Sequence, residues 1–451
     1  MARDIRRAGL VLVLMLVAMT MSAPARVRGQ MPVEIDREPI RYSTCPASDA
    51  ITRLQQRIDR GEVTLKYDAE GQGFLRAVLD ALGVCPESQV LVFSKTSFQQ
   101  TKIAPRTPRA IYFSDDVYVG FVRGADVLEF SAVDPKLGAT YYLLDQDPAV
   151  GKPKFVRQTD ACLQCHQSAK TQEVPGHMVR SVYPDKRGFP VFGAGSFVTD
   201  YTSPLSERWG GWYVTGTHGA QRHLGNVMVT DREHPVESFD TAAGGNRKDL
   251  KGLVDTAPYL TGHSDLVALM VLEHQTQLQN LITSAGYQAR IGRHYDAGIN
   301  QALGRPVDAL SPSTDRRIQS HADKLVHALL FAEEAKLSAP VAGTSGFTAA
   351  FPKRGPRDRK GRSLRDFDLT SRLFKYPCSY LIGSEAFGAL PDEVKGRVYR
   401  LLLEVLTGHD KGPEFAHLSP ADRRAILEIL LDTKAGLPPE WRAAAITASR
   451  N

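Results

Sequence analysis

The chain has 451 residues, 42% of them hydrophobic, which is enough for two or three ordinary domains with sizeable cores and excludes wholesale disorder. A charged fraction of 24% and a net charge of +6 are ordinary for a globular protein, and charge alone points to no nucleic-acid or membrane partner.

Arg3, Arg6 and Arg7 precede an apolar run from Ala8 to Met21, and Ala23-Pro24-Ala25 follows. This is the pattern of a secretory signal peptide, here residues 1–25. The run is shorter than the roughly twenty apolar residues of a membrane span. Cleavage leaves a mature chain of net charge +4. That chain is expected outside the cytoplasm, periplasmic or secreted, with no stable membrane insertion and no nucleic-acid partner.

A helical N-terminal section follows, residues 26–88. Asp49 to Arg60 and Gly73 to Leu82 carry apolar spacing of amphipathic helices, with Ser48 or Asp49 as cap. From residue 89 to 258 the pattern is strand-rich. Val90 to Phe93, Ala110 to Phe113, Val117 to Val122 and Ala139 to Leu144 read as strands, with turns at Asp115-Asp116, Gly124-Ala125-Asp126 and Asp134-Pro135. A second strand-rich stretch runs from Val179 to Val229, and the two stretches are expected to share one sheet.

Between them lies Cys162-Leu163-Gln164-Cys165-His166, the C-x-x-C-H attachment pattern of c-type haem. Two thiols three residues apart reach the two vinyl groups of the porphyrin, and the adjacent imidazole presents a nitrogen to the iron. With five Cys and twelve His in the whole chain, chance is a poor explanation of the pattern. A zinc site wants two more ligands at short spacing, and a thioredoxin-type pair wants a βαβ setting; neither surrounds the motif. Export agrees with haem, which is attached to such motifs outside the cytoplasmic membrane. The sequence therefore predicts one covalent haem c, held by Cys162 and Cys165, with His166 as axial iron ligand. Cys45, Cys85 and Cys378 remain. Cys45 with Cys85 is the favoured disulfide among three possible pairings.

Residues 259–451 read as helical: Ser264 to Thr283, Asp315 to Lys336, Asp392 to Leu406 and Ala421 to Thr433 place apolar residues at three-to-four spacing. Pro352 to Arg365, dense in Lys and Arg, reads as a solvated loop, with a docking patch for an acidic redox partner as the alternative. The fold class is α+β: an antiparallel sheet region around the haem motif, then a mainly α-helical C-terminal half.

Further segments carry a resemblance: Pro108 to Phe113 with Asp116 to Gly120, Arg180-Ser181-Val182, Glu207-Arg208-Trp209-Gly210-Gly211-Trp212-Tyr213-Val214-Thr215-Gly216, and Glu273-His274-Gln275-Thr276. On these the chain resembles a group of uncharacterised exported bacterial mono-haem c-type cytochromes over roughly residues 90–430. The resemblance implies haem binding and electron transfer, and names no substrate. Ordinary small cytochromes c share only the C-x-x-C-H, and their fold is not implied.

The sixth iron position decides between electron transfer and chemistry on a small molecule. His274, in an apolar helical run, is the leading candidate for it, set against an ordinary core histidine; Met178 and His177 follow. Arg180, Arg208 and Arg222 are candidates to pair the haem propionates, and Trp209, Trp212 and Tyr213 to pack on the porphyrin. The expected function is an exported electron-transfer cytochrome, its partner a redox protein or small-molecule donor or acceptor. A haem enzyme acting on a peroxide or on a nitrogen or sulfur oxyanion at an open distal site, and a haem-based sensor, are the alternatives.

Overall fold

Strands form where β-branched and aromatic residues alternate: Val90–Val92 (β1), Arg109–Phe113 (β2), Val117–Phe121 (β3), Val127–Asp134 (β4), Gly138–Asp145 (β5) and Phe155–Gln158 (β6). They are consecutive antiparallel neighbours in the computed structural model, which describes residues 34–448, so the signal-peptide segment lies outside the described residues. Trp212–Tyr213 (β9) pairs with β1 and completes a seven-stranded sheet of order β6-β5-β4-β3-β2-β1-β9. Val179–Val182 (β7) and Ser196–Thr199 (β8) form a separate hairpin.

The ladder register sorts side chains onto two faces. One row runs Ile111, Gly120, Glu129, Leu143, and the next runs Phe113, Tyr118, Ser131, Tyr141, Gln158. These residues face the C-terminal helices and the haem motif. The opposite face, with Ala110, Tyr112, Val119, Phe121, Leu128 and Tyr142, is covered by Ala50–Asp59 (α1) and Leu75–Leu82 (α2) through Ile51, Leu54, Ile58, Val78 and Leu79. Asp49 caps α1, accepting from Thr52 N–H at 2.8 Å, as its sequence position foretold.

The longest helix, Leu266–Ala302 (α3), lies against the first face, capped by Asp265. Pro312–Leu329 (α4) packs on it, Asp392–Leu406 (α5) on α4, Pro420–Thr433 (α6) on α5 and Glu440–Ala448 (α7) on α6. The architecture is thus α+β, with the sheet in the N-terminal half and helices in the C-terminal half. The described residues belong to one compact unit, so positions 88 and 258 mark changes of secondary structure.

Two expectations are corrected. The stretch Val179 to Val229 contributes only β9 to the main sheet; the rest is held by the separate β7–β8 hairpin and by side chains, with Gly210 N–H donating to Ser181 Oγ at 2.8 Å and Val214 N–H to Asn226 Oδ1 at 2.8 Å. Cys45 and Cys85 are both free. The Cys45 carbonyl accepts from Arg157 of β6, whereas Cys85 lies shortly before β1 and donates to Glu87 at 2.6 Å. Five strand spacings, roughly 24 Å, separate β6 from β1, far beyond disulfide reach. The basic segment 352–365 is exposed at Lys353, Arg354, Arg357, Arg359 and Lys360, as its composition predicts, and is also tied down by ion pairs: Arg357 with Asp366, Lys360 and Arg362 with Glu428, and buried Arg365 with Asp115.

Candidate functional site

The edge strand β6 delivers the chain to the motif. Residues Leu163–His166 make one helical turn, His166 N–H donating to the Cys162 carbonyl at 3.0 Å, so both thiols and the imidazole emerge from a single turn. The next ten residues curl back. Thr171 Oγ anchors the curl on carbonyls of the same loop, and Gly176 N–H donates to the His166 carbonyl at 2.9 Å. Asn280 of α3 clamps the other end: it accepts from His177 N–H at 2.9 Å and donates to the His177 carbonyl at 2.7 Å. A side chain at Gly176 would put Cβ only 2.2 Å from Asn280 Oδ1, so this position requires glycine.

This loop orients His166. Its Nδ1 lies 2.9 Å from the Gly176 carbonyl, which makes Nδ1 the donor and leaves the Nε2 lone pair free. Tyr141 packs at 5.1 Å from the ring and donates to the same carbonyl at 2.5 Å. Burial holds the imidazole below the usual histidine range, hence neutral, as a metal ligand must be.

Cys162, Cys165 and His166 border a cavity of about 680 Å³. Its floor is the sheet face of Arg109, Ile111, Tyr118, Gly120, Glu129, Ser131 and Tyr141; Leu272 and Thr276 of α3, Met178, Val179 and Trp212 close its sides, and residues 95–100 form a rim. Arg109 and Glu129 make an ion pair at 2.7 Å within it, and Gly120 leaves the space the guanidinium occupies. Arg109 Nε is buried with no partner, a donor awaiting an acceptor.

The alternatives to haem fit less well. Burial pushes the Cys162 thiol up to about 11, opposite to the acidic thiol of a thioredoxin-type pair, and the strands on either side are antiparallel. Among the described residues no three His, Cys, Asp or Glu side chains converge on a point where a metal ion could sit. A haem asks less: two thiols for the ring edge, one free imidazole nitrogen, and a large cavity with apolar walls and a few polar groups. The residues present fit it.

The structure brings Cys162, Cys165, His166, His177 and Met178 to one cavity and does not bring His274 there. Leu272 and Thr276 face the cavity, and His274, two residues from each, is turned roughly 160° away from both at ~100° per residue. His274 is instead a core residue: Nε2 bonds Ser379 Oγ at 2.7 Å and the ring stacks on Phe331 at 4.2 Å. It is therefore withdrawn as iron ligand. His177 is engaged through Nε2 with Ser131 Oγ at 2.7 Å, while its Nδ1 is buried with no partner among the described residues; Met178 is the soft donor on the cavity wall.

None of the three arginines proposed for the propionates lines the cavity. Arg208 is buried against Glu273 at 2.9 Å, Arg180 donates to Ser196 Oγ and covers Phe192, and Arg222 is exposed. Arg109 and Lys95 are the cations there. The signal for Arg109 was available, because it alternates with Ile111 and Phe113. Of the aromatics, Trp212 reaches the cavity, its Nε1 donating to the Arg180 carbonyl at 2.8 Å; Tyr213 points to the other sheet face, and Trp209 is core.

The segments that carry the resemblance meet one another. Arg208 binds Glu273; the Val182 N–H donates to the Gly210 carbonyl at 2.9 Å; a Cβ on Gly210 would stand 2.1 Å from the Val182 carbonyl oxygen. Gln275 donates to the Tyr118 hydroxyl at 2.8 Å, accepts from Tyr380 at 2.7 Å, and so joins the cavity wall to the helical core. No family model, no curated protein and no solved structure matches the chain.

Proposed function

We propose that the protein is an exported mono-haem c-type cytochrome of the uncharacterised bacterial group its segments resemble, carrying one covalent haem and transferring electrons. The observation that carries the reading is His166, ring held by the Gly176 carbonyl and Nε2 free, beside two unbridged thiols at the border of a large cavity. In this reading Cys162 and Cys165 bind the porphyrin edge through thioethers, His166 binds iron, Tyr141 and Asn280 keep His166 and its loop in place, and Arg109 meets a propionate. A bound haem supplies a one-electron couple at its iron. The half-exposed motif, with Cys165 at the surface, gives a partner a short approach to the ring edge. Export to the periplasm or beyond belongs to the same reading; among the described residues no helix is long and apolar enough to cross a membrane.

Met178 is proposed as the sixth ligand. Ferric protein matured with haem is expected to be six-coordinate and low-spin, with a weak charge-transfer band at the red end. Met178→Ala is expected to become high-spin and to bind cyanide, while His274→Ala leaves coordination unchanged. A wild-type protein that is already high-spin and cyanide-reactive would contradict electron transfer. It would favour the second reading, a haem enzyme for a peroxide or small oxyanion, which the size of the cavity and the engagement of His177 with Ser131 support.

A further inference from the structure

The last turns of α3 reach beyond the sheet. Their buried side chains, Asp296 and Asn300, hold the loop that follows, accepting from Ser311 N–H and donating to the Ala309 carbonyl at 2.8 Å each, and Asp296 also meets Thr314 and the charge of Arg317 at the start of α4. The other face carries Tyr295, Ile299 and Leu303, four residues apart and hence on one stripe, 61%, 56% and 57% exposed; Val307 in the loop adds a fourth at 56%. Large aliphatic side chains gathered in this way at one tip mark a contact surface.

The charges around the stripe indicate its occupant. Arg305, Arg316 and Arg317 are exposed and form no ion pair among the described residues, whereas Asp315 is engaged by Arg397 and only Asp308 is an exposed, unpaired carboxylate nearby. An apolar tip with a tyrosine at its edge and cations beside it has the composition of an interfacial membrane anchor.

We propose that the tip formed by the end of α3, the following loop and the start of α4 attaches the protein peripherally to a bilayer containing anionic lipid. Ile299, Leu303 and Val307 enter the boundary between headgroups and acyl chains, and Arg305, Arg316 and Arg317 meet lipid phosphates. The attachment is one-sided, and it does not depend on the haem reading.

The test is co-sedimentation of the mature chain with vesicles of phosphatidylcholine alone or of equal parts phosphatidylcholine and phosphatidylglycerol. Partition onto the anionic vesicles is expected to be about a hundredfold stronger, from about fivefold per arginine, and to weaken as salt is raised. Ile299→Glu with Leu303→Glu should abolish binding while far-UV circular dichroism stays unchanged, since both side chains are exposed. Arg305→Ala with Arg316→Ala and Arg317→Ala should remove the preference for anionic lipid. Equal binding by wild type and the glutamate variant, or no preference for anionic vesicles, overturns the proposal. So does a dimer in light scattering that the glutamate variant dissociates, which would give the stripe to a second copy of the chain.

Discussion

Arg208→Met is expected to lower the unfolding free energy by about 3–5 kcal/mol at pH 8, the usual cost of breaking a buried ion pair by removing one partner. Arg208 and Glu273 are 4% and 0% exposed, and the guanidinium also donates to the Ser203 carbonyl at 2.6 and 2.9 Å and to the Tyr201 carbonyl at 3.1 Å. Methionine fills the volume but takes the guanidinium from the Glu273 carboxylate, which keeps only Thr199 Oγ, and from the Tyr201 carbonyl, which keeps Ala335 N–H, and it leaves the Ser203 carbonyl without a donor among the described residues. The carboxyl has an escape, because burial already pushes Glu273 up to about 7 and protonation removes its charge. The deficit should therefore shrink toward pH 5. Glu273→Gln removes a carboxyl that the folded chain protonates before the unfolded one, so its deficit should instead grow as pH falls from 7 to 4.5. Urea unfolding at both pH values separates the two patterns; equal, pH-independent losses would mean that packing, and not charge, holds these segments together.

Wild-type stability is expected to vary by no more than about 2 kcal/mol between pH 7 and 4.5 and then to fall by about 6 kcal/mol by pH 3. His177, His223 and His274 are pushed down to about 3 by burial, from an ordinary value of 6.5. The stability they contribute is whole above 6.5 and is lost as pH falls toward 3, because the unfolded chain takes the protons first. Glu273 and Glu334, pushed up to about 7 by burial, act in the opposite sense: the folded chain takes their protons first, so stability is gained as pH falls from 7 to 4.5. At about 1.4 kcal/mol per unit and group, the histidines cost about 8 kcal/mol down to pH 4.5 and the glutamates return about 7 kcal/mol. Below 4.5 nothing offsets the histidines. Glu334→Gln retains the acceptor used by Leu373 N–H at 2.8 Å and should lose about 3 kcal/mol more than wild type between pH 7 and 4.5. A wild-type curve that already falls steadily from pH 6.5 would contradict protonated carboxyls in the core.

What was legible in the sequence was whatever rests on local rules. The C-x-x-C-H turn needs no distant partner, and α1, α2, α5 and α6 announce themselves by apolar spacing and by caps such as Asp49 and Ser419. Strand β4 went unnoticed because its cavity face holds Glu129 and Ser131, polar residues whose reason is Arg109 on β2 and His177 beyond the motif. The second half of α3 was hidden for the opposite reason. Past Ala289 only Gly292, Asp296 and Asn300 are buried, apolar residues move to the exposed side, and the apolar periodicity that marks a buried face disappears. His274 misled because an apolar helix buried on every side gives no hint of which face meets the cavity; that depends on Leu272 and Thr276, and hence on how α3 lies across the sheet. Arg208 resembled a free anion binder because its partner stands 65 residues away.

The central claim is that Cys162 and Cys165 carry haem on a turn that leaves His166 for the iron, and mass spectrometry addresses it most directly. The chain is expressed with a cytochrome c maturation system, extracted with acidified acetone and digested. The account predicts that the peptide containing Cys162 to His166 retains the mass of one haem, and that Cys162→Ser with Cys165→Ser retains none. Wild-type peptide with both thiols free after maturation, or joined to each other in a disulfide, would contradict it.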